Sequence, residues 1–447
     1  MNCPDWPCDP NPSWESEVTE AEMTMNAEEL RALEASCAKR HAEFCKAGLA
    51  LDLTRGKPAA DQLDLASHLD GALQGDYRSE DGTDTRNYGG LRGIAEARRL
   101  GAALLGAPVE QVMAGGNSSL TLMYLFVETA HLFGLGDQGP WRDEAAGAPK
   151  VLCPVPGYDR HFAICDQLGI EMVNVPMLAT GPDMDAVEAA VRDDPSIRAI
   201  WCVPKYSNPT GCVYDEATVA RFAELPKLAA PGFRILWDNA YAVHDLEPDP
   251  PQLAELFSLA KQAGTEDAVV MFGSTSKVTF AGAGVAFMAA STPVLSAFEQ
   301  RLGALMIGPD KVNQLRHAKL FPDVDALTSH MRRHAAIIRP KFEAVQEALE
   351  EGLAGTGFAT WTQPRGGYFV SVDTLPGLAR EVIRLAADAG VKLTPAGATF
   401  PYGRDPEDRN IRLAPTFPPL ADVRRAMEVF INCVRLASAR AGLQENR

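Results

Sequence analysis

Residues 268–277 read Ala268-Val269-Val270-Met271-Phe272-Gly273-Ser274-Thr275-Ser276-Lys277, an apolar run followed by small hydroxyl residues and a lysine. The apolar run is typical of a buried strand. A lysine at the end of such a strand is held partly out of water, which favours the neutral amine that forms a Schiff base. The pattern therefore predicts a catalytic role for Lys277, although an ordinary surface lysine after a strand would fit it equally well.

On both sides of this stretch, short runs rich in valine and isoleucine alternate with longer helical segments. The runs that read as strands are Gln111–Ala114, Lys150–Pro154, Ile170–Val175, Ala199–Val203, Arg234–Trp237, Ala268–Phe272 and Val285–Ala289. Such alternation is typical of a largely parallel sheet covered on both faces by helices. We therefore predict an α/β fold whose large domain holds a mixed, mostly parallel, seven-stranded sheet.

The pattern changes after about residue 320, where a long charged helix over Asp325–Gly352 is followed by a strand near Gly367–Val372 and by two further helices. This succession of elements predicts a second, smaller α+β domain. The predicted organisation is an N-terminal arm (1–25), the N-terminal part of the small domain (26–75), the large domain (76–320) and the C-terminal small domain (321–447).

Composition excludes several classes of protein. The 447 residues are 46% hydrophobic and carry a net charge of −17, which disfavours nucleic acid and anionic membrane surfaces as partners. The nine cysteines are scattered without Cys-x-x-Cys pairs and suggest no metal site and a reducing compartment. The apolar stretch Leu120–Leu135 is shorter than a membrane span needs, and no secretory signal is evident. We expect a cytoplasmic protein.

Polar residues follow the predicted strands, where ligands bind in open α/β sheets. Asp238 directly follows Arg234–Trp237, and a carboxylate there needs a partner such as a protonated pyridine nitrogen, a helix end or a structural ion pair. Asn208 lies in the turn Asn208-Pro209-Thr210-Gly211, and Tyr241 comes three residues after Asp238. Both could donate hydrogen bonds to one phenolate oxygen, although a turn alone would explain Asn208.

Two short loops could bind an anion. Gly115-Gly116-Asn117-Ser118-Ser119 lies between a strand and an apolar helix, so backbone amides and hydroxyls are available there. Ser274 and Ser276 add hydroxyls beside Lys277. A serine-rich helix start is also a common cap without a ligand.

Two further residues have both a functional and a structural interpretation. Tyr158, in Pro156-Gly157-Tyr158, could stack on a planar ring or simply pack after the turn. Arg412, flanked by Ile411 and Leu413, could grip a carboxylate through two hydrogen bonds or form an internal salt bridge.

Several separated motifs occur in the order known from one family, and the chain resembles the fold type I pyridoxal-phosphate aminotransferases of class I from about Leu51 onward. The motifs are Asn87-Tyr88-Gly89-Gly90, Pro156-Gly157-Tyr158, Asn208-Pro209-Thr210-Gly211, Asp238-Asn239-Ala240-Tyr241, Ser274-Thr275-Ser276-Lys277 and Arg412. The stretches Gly273–Gly284 and Asn313–His317 resemble a divergent bacterial branch of aspartate aminotransferases.

The resemblance implies a role for each residue around the cofactor ring. Lys277 would form a Schiff base with pyridoxal 5′-phosphate and act as the general base, and Asp238 would pair with the pyridine nitrogen. Asn208 and Tyr241 would bind the ring oxygen, and Tyr158 would stack on the ring. Lys277, Asp238 and Tyr241 are accordingly the predicted catalytic residues.

The resemblance also implies contacts to the phosphate, to the substrate and between subunits. The predicted phosphate ligands are Asn117, Ser118, Ser119, Ser274 and Ser276. Arg412 would bind the substrate α-carboxylate, with Asn208 and Gly56 beside it. Tyr88 would reach the phosphate of the neighbouring subunit, so a homodimer is expected.

The sequence departs from the family at one phosphate ligand. The family usually carries an arginine about eight residues after the lysine, whereas residues 278–300 contain neither arginine nor lysine. Hydroxyls and backbone amides would replace it, or a basic residue from elsewhere such as Arg55 or Lys57.

The predicted activity is amino transfer between an L-amino acid, with aspartate the best candidate, and a 2-oxo acid, with 2-oxoglutarate the best candidate. Arg55, Arg316 and Arg365 are candidates for binding a distal carboxylate. The alternatives are an aminotransferase for alanine, aromatic or aminoadipate donors, or a pyridoxal-phosphate β-lyase. Tyr158 argues against decarboxylases and synthases, which tend to place histidine there. A cofactor-binding regulator would need a DNA-binding module, for which residues 1–25 leave no room.

Overall fold

The computed structural model describes residues 25–143 and 147–445. Except for Met25, the predicted N-terminal arm lies outside these residues, as do Cys3 and Cys8. The helices are α1 (Ala27–Lys46), α2 (Ala60–Asp64), α3 (Ala95–Leu105), α4 (Ser119–Leu132), α5 (Asp159–Gln167), α6 (Met184–Asp193), α7 (Glu216–Glu224), α8 (Leu256–Ala263), α9 (Thr292–Leu305), α10 (Lys311–Leu320), α11 (Val324–Leu353), α12 (Ala379–Asp388) and α13 (Leu420–Glu445). The strands are β1 (Leu51–Asp52), β2 (Val112–Ala114), β3 (Lys150–Val155), β4 (Glu171–Leu178), β5 (Gly181–Pro182), β6 (Ile197–Cys202), β7 (Arg234–Asp238), β8 (Val269–Ser274), β9 (Ala286–Ala290), β10 (Ala359–Trp361), β11 (Val370–Thr374), β12 (Val391–Lys392) and β13 (Asn410–Leu413).

The central sheet has the strand order β2-β9-β8-β7-β6-β3-β4-β5. The pairs from β8 across to β4 are parallel, whereas β9 runs antiparallel to both of its neighbours. The seven predicted strands and the mixed, mostly parallel sheet are therefore confirmed. The two-residue strand β5, which pairs antiparallel with β4, extends the sheet to eight strands and was not predicted.

Side chains of the central strands point alternately to two apolar layers, as the two-residue period of a strand requires. In β7, Trp237 packs in one layer and Leu236 in the other. In β8, Met271 and Phe272 divide in the same way. Because both faces are buried, these strands read as continuous apolar runs in the sequence.

A third apolar cluster joins the beginning of the described chain to its C-terminal part. Strand β1 pairs parallel with β12, and Leu51 lies opposite Val391. Strands β10, β11 and β13 form an antiparallel sheet. Phe44 of α1, Phe342 of α11 and Phe430 of α13 are buried in the same cluster. No helix of the described residues is both long and apolar enough to cross a membrane.

Candidate active site

A cavity of ≈ 370 Å³ opens where the loops after the central strands meet. Strands β2, β6, β7 and β8 all end at this edge of the sheet, which is where ligands of open α/β sheets bind. Its lining residues are Asn117, Ser118, Ser119, Leu120, Met123, Tyr158, Val203, Asn208, Asp238, Ala240, Tyr241, Ser274, Ser276, Lys277 and Ala281. The fold thus brings together ten predicted site residues that are separated by up to 160 positions in the sequence.

The Lys277 side chain lines this cavity, and the Lys277 carbonyl oxygen contacts two neighbouring side chains. The amine lies 4.9 Å from the centre of the Tyr241 ring. The Lys277 carbonyl oxygen lies 3.3 Å from His244 Nε2 and 3.4 Å from the Tyr368 hydroxyl. Desolvation lowers the pKa of the Lys277 amine, and the nearby Asp238 carboxylate only partly opposes this effect. The site therefore favours a neutral, nucleophilic amine.

Asp238 is the last residue of β7 and is 1% exposed. His161 Nε2 donates a hydrogen bond to Asp238 Oδ2 at 3.0 Å, and the His161 ring stacks on Trp201 with 4.1 Å between ring centres. Asp238 Oδ1 is buried and has no hydrogen-bond partner among the described residues. A buried carboxylate oxygen without a partner is costly, so a donor from a ligand in the cavity would satisfy it.

Asn208 and Tyr241 line the cavity with their polar groups. Tyr241 is buried, and desolvation raises the pKa of its phenol well above the ordinary value. It therefore stays protonated and can donate a hydrogen bond. Asn208 Oδ1 accepts a hydrogen bond from Arg412 Nη1 at 3.2 Å, whereas its amide group donates to none of the described residues.

The predicted anion-binding loops lie side by side. Ser276 Oγ donates to the Asn117 carbonyl oxygen at 3.2 Å, and Asn117 Nδ2 donates to the Gly282 carbonyl oxygen at 3.1 Å. Ser118 is the N-cap residue of α4, but its side chain forms no cap hydrogen bond. Its hydroxyl and the first amides of α4 are therefore free to bind an anion at the positive end of the helix.

Arg412 lies on β13 next to this cavity and is 7% exposed. Its guanidinium contacts the Phe369 ring at 4.9 Å and donates through Nη1 to Asn208 and to Asp159, at 3.2 Å each. Gly56 packs against the same Phe369 ring so closely that a Cβ atom there would collide with it. The predicted substrate-binding residues Arg412, Asn208 and Gly56 are thus neighbours.

Several other sequence candidates lie away from the cavity. Arg55 and Lys57 are not among the residues that line it, and the Lys57 amine lies 3.8 Å from the centre of the Phe417 ring. Arg365 pairs with Glu247 at 2.5 Å, and Arg316 is exposed. Tyr88 is 84% exposed, which leaves it available to a second subunit.

Sequence reasoning did not find His161 or Asp159. Both lie on α5, directly after the predicted Tyr158, and both contact a predicted site residue. The spacing offered one signal, since a histidine three residues after a cavity residue lies on the same side of a helix.

Pyridoxal phosphate fits this chemistry. The partnerless Asp238 Oδ1 can accept from a protonated ring nitrogen, and the Lys277 amine can form an imine with an aldehyde. The uncommitted Ser118 hydroxyl and the start of α4 suit a phosphate.

Comparisons with known proteins point to one family. The family model described as "Aspartate amino-transferase" matches residues 25–446. An aspartate aminotransferase of Corynebacterium glutamicum is 47% identical over 399 residues, which cover 89% of this chain and 91% of that one. A protein of Mycolicibacterium smegmatis is 49% identical over 408 residues, covering 90% of this chain and 94% of that one.

A solved structure shares the fold closely. The crystal structure of an aspartate transaminase from Corynebacterium glutamicum has a TM-score of 0.90 at 45% identity, covering 95% of this chain and 100% of that one. The family match spans nearly the whole described chain, and the relatives are matched over about nine-tenths of their length. The chain therefore belongs to the fold type I, pyridoxal-phosphate-dependent aminotransferases related to aspartate aminotransferases.

Proposed function

We propose that this aminotransferase moves the amino group of L-aspartate to 2-oxoglutarate through a Schiff base on Lys277. The observation that carries the proposal is the placement of the Lys277 amine and the partnerless Asp238 oxygen in one cavity. The choice of aspartate is supported by the name of the Corynebacterium glutamicum relative at 47% identity.

Pyridoxal phosphate, when bound, supplies an aldehyde for the covalent link and an electron-withdrawing ring that stabilises negative charge at the substrate Cα. Asp238 would hold the proton on the ring nitrogen, and His161 would keep the carboxylate in place through its 3.0 Å hydrogen bond. Tyr241 and the free amide of Asn208 would donate to the ring oxygen, and Tyr158 would cover one face of the ring.

The phosphate would be held largely by neutral groups. The residues proposed for this are Asn117, Ser118, Ser119, Ser274 and Ser276, which all line the cavity. Among the described lining residues Lys277 is the only cation. Side-chain hydroxyls and the first backbone amides of α4 would therefore bind the phosphate in place of the arginine that the family usually carries.

Lys277 would also act as the general base for the proton on the substrate Cα. Its neutral amine would remove the proton from the substrate Cα, because a desolvated amine of lowered pKa is a base at neutral pH. Arg412 would bind the α-carboxylate and fix the orientation of Cα relative to that amine. Gly56 leaves room for Phe369, against which the Arg412 guanidinium packs.

We further propose a cytoplasmic homodimer in which Tyr88 reaches the phosphate site of the other subunit. Its exposure of 84% supports this role, because a large aromatic side chain is rarely so exposed in the absence of a partner.

The assignment of the amino donor is tested with purified enzyme, a panel of amino donors and 2-oxoglutarate. The quantity measured is kcat/KM for each donor. Aspartate should exceed alanine, aminoadipate and aromatic donors by at least about tenfold, as the name of the 47% identical relative indicates. Equal kcat/KM values would contradict the assignment of aspartate as the donor, but not the aminotransferase activity. A 2-oxo acid formed without any acceptor, in amounts exceeding the enzyme, would favour a β-lyase.

A further inference from the structure

The guanidinium of Arg412 already has a carboxylate partner within this chain. Asp159, the first residue of α5, accepts a hydrogen bond from Arg412 Nη1 through Oδ1 at 3.2 Å. The Arg412 side chain is 8% exposed and the Asp159 side chain 34% exposed. A partly exposed acid therefore contacts the arginine that is proposed to bind the substrate carboxylate.

The remaining donors of Arg412 form no hydrogen bond with the part of the chain that the structure describes. Nη1 is shared between Asp159 and Asn208, and the buried Nε has no partner among the described residues. A guanidinium has five N–H donors, so a carboxylate can still bind while Asp159 remains in place. The second carboxylate would then share one positive charge with the first.

Arg412 does not depend on Asp159 for its position. It lies on β13, whose Ile411 and Leu413 are buried, and its guanidinium packs against Phe369 and donates to Asn208. Removing the Asp159 charge should therefore leave the arginine in place and change mainly the electrostatics around it.

We propose that Asp159 is an internal carboxylate that competes with the substrate α-carboxylate for Arg412 and so sets how tightly the enzyme holds every carboxylate ligand. The inference rests on the proposed role of Arg412. In the free enzyme Asp159 balances a nearly buried positive charge, and in the complex it repels the ligand, which speeds product release.

Competition and structural support predict opposite changes in ligand affinity when the Asp159 charge is removed. If Asp159 repels the ligand, Asp159→Asn tightens binding, because the amide keeps the size of the side chain and loses its charge. If Asp159 merely supported Arg412, the same change would weaken binding. Donor and acceptor both present an α-carboxylate, so both should respond alike.

The test is calorimetric titration of the cofactor-loaded enzyme with glutarate, a dicarboxylate without the reactive 2-oxo group, together with KM and kcat for donor and acceptor. Asp159→Asn should lower the glutarate Kd and both KM values by at least about threefold, without raising kcat. Asp159→Glu keeps the charge and should stay near wild type. Asp159→Ser serves as a second neutral variant, and its expected result is the same as for Asp159→Asn.

A matched control is Asp185→Asn. Asp185 also lies in the first turn of a helix and also pairs with an arginine, Arg221, but that arginine has no proposed role in binding carboxylates. It should change none of these constants. Unchanged or weaker glutarate binding in both neutral Asp159 variants would overturn the proposal. Glutarate binding that survives Arg412→Ala would instead contradict the carboxylate role of Arg412.

Discussion

Tyr241 illustrates how burial prepares a single side chain for its proposed role. It is 3% exposed, and desolvation raises the pKa of its phenol well above the ordinary value. The phenol therefore remains a hydrogen-bond donor at neutral pH. A donor directed at the cofactor ring oxygen stabilises the negative charge there and lowers the pKa of the neighbouring imine.

We predict that Tyr241→Phe raises the pKa of the imine and lowers kcat by roughly tenfold, since a hydrogen bond to a charged group is lost. The measurement is a pH titration of the visible absorbance of the cofactor-loaded enzyme. Tyr206→Phe is the matched control, because the Tyr206 hydroxyl donates to Asp245 and not to the cavity. An imine pKa that is the same in wild type and Tyr241→Phe would contradict the role of Tyr241.

Residue positions at strand ends were predictable from sequence, whereas contacts across the fold were not. Asp238 and Lys277 follow apolar runs whose ends can be read directly. His161 lies 77 positions before its partner Asp238, and Asp159 lies 253 positions before Arg412. Nothing in the sequence near either residue specifies a partner so far away.

Helix α11 carries a buried polar connection to the backbone of Lys277. His330 and His334, one turn apart, lie 3.0 Å from each other, and His334 Nδ1 is 3.2 Å from Gln62 Nε2. Gln62 in turn donates to the Tyr368 hydroxyl at 3.0 Å, which contacts the Lys277 carbonyl oxygen. These contacts connect α11 to the loop that carries the lysine.

We predict that two buried histidines, His334 of this connection and His244 beside the Lys277 carbonyl oxygen, destabilise the fold in mild acid. Desolvation lowers the pKa of His334 and of His244 from the ordinary 6.5 to about 3. Between those values the unfolded chain binds more protons than the folded one. Stability is therefore full above pH 6.5 and falls as the pH drops toward 3, by about 1.4 kcal/mol per pH unit for each histidine.

The measurement is the free energy of unfolding between pH 7 and pH 5, where carboxylates with lowered pKa values such as Asp52 do not yet titrate. His334→Gln should reduce the slope by about one proton. The matched control His68→Gln alters an exposed histidine and should leave the slope unchanged. Equal slopes for wild type and His334→Gln would refute the prediction.

Elements with a strong pattern were predicted, and very short ones were not. The seven strands of the central sheet appeared in the sequence as apolar runs because both of their faces are buried. Strands β1, β5 and β12 have two residues each, too few to show a period. Their pairing depends on chain segments that meet only after folding.

The motif Asn313–His317 acquires a structural explanation at the level of elements. It lies on α10, where Asn313 Nδ2 donates to the Ala283 and Gly284 carbonyl oxygens and Gln314 Nε2 to those of Ala114 and Gly115. Helix α10 therefore supports the start of the 115–119 loop and the segment between Lys277 and β9.

At the scale of the whole molecule, we propose that residues 26–75 and 321–447 form one small domain and residues 76–320 the large one. The pairing of β1 with β12 and the shared apolar cluster of α1, α11 and α13 support this division. Arg412 belongs to the proposed small domain and Lys277 to the large one, so the complete site needs both.

We predict that each active site also needs the partner subunit. Lys277→Ala and Tyr88→Ala chains should each have little activity alone. An equimolar mixture that has exchanged subunits should regain about a quarter of wild-type activity, because half of its dimers are mixed and each mixed dimer carries one intact site of two. Sedimentation of the mixture should show a dimer. No recovery on mixing, with dimers present, would place Tyr88 in its own subunit's site or outside any site.

The covalent link to Lys277 is the claim on which the mechanism depends. The most direct measurement is borohydride reduction of the cofactor-loaded enzyme, followed by proteolysis and mass spectrometry. We predict a single phosphopyridoxyl label on Lys277 and none after Lys277→Ala, whose absorbance should be that of the free cofactor. A label on another lysine, or no label on the wild-type protein, would contradict the account.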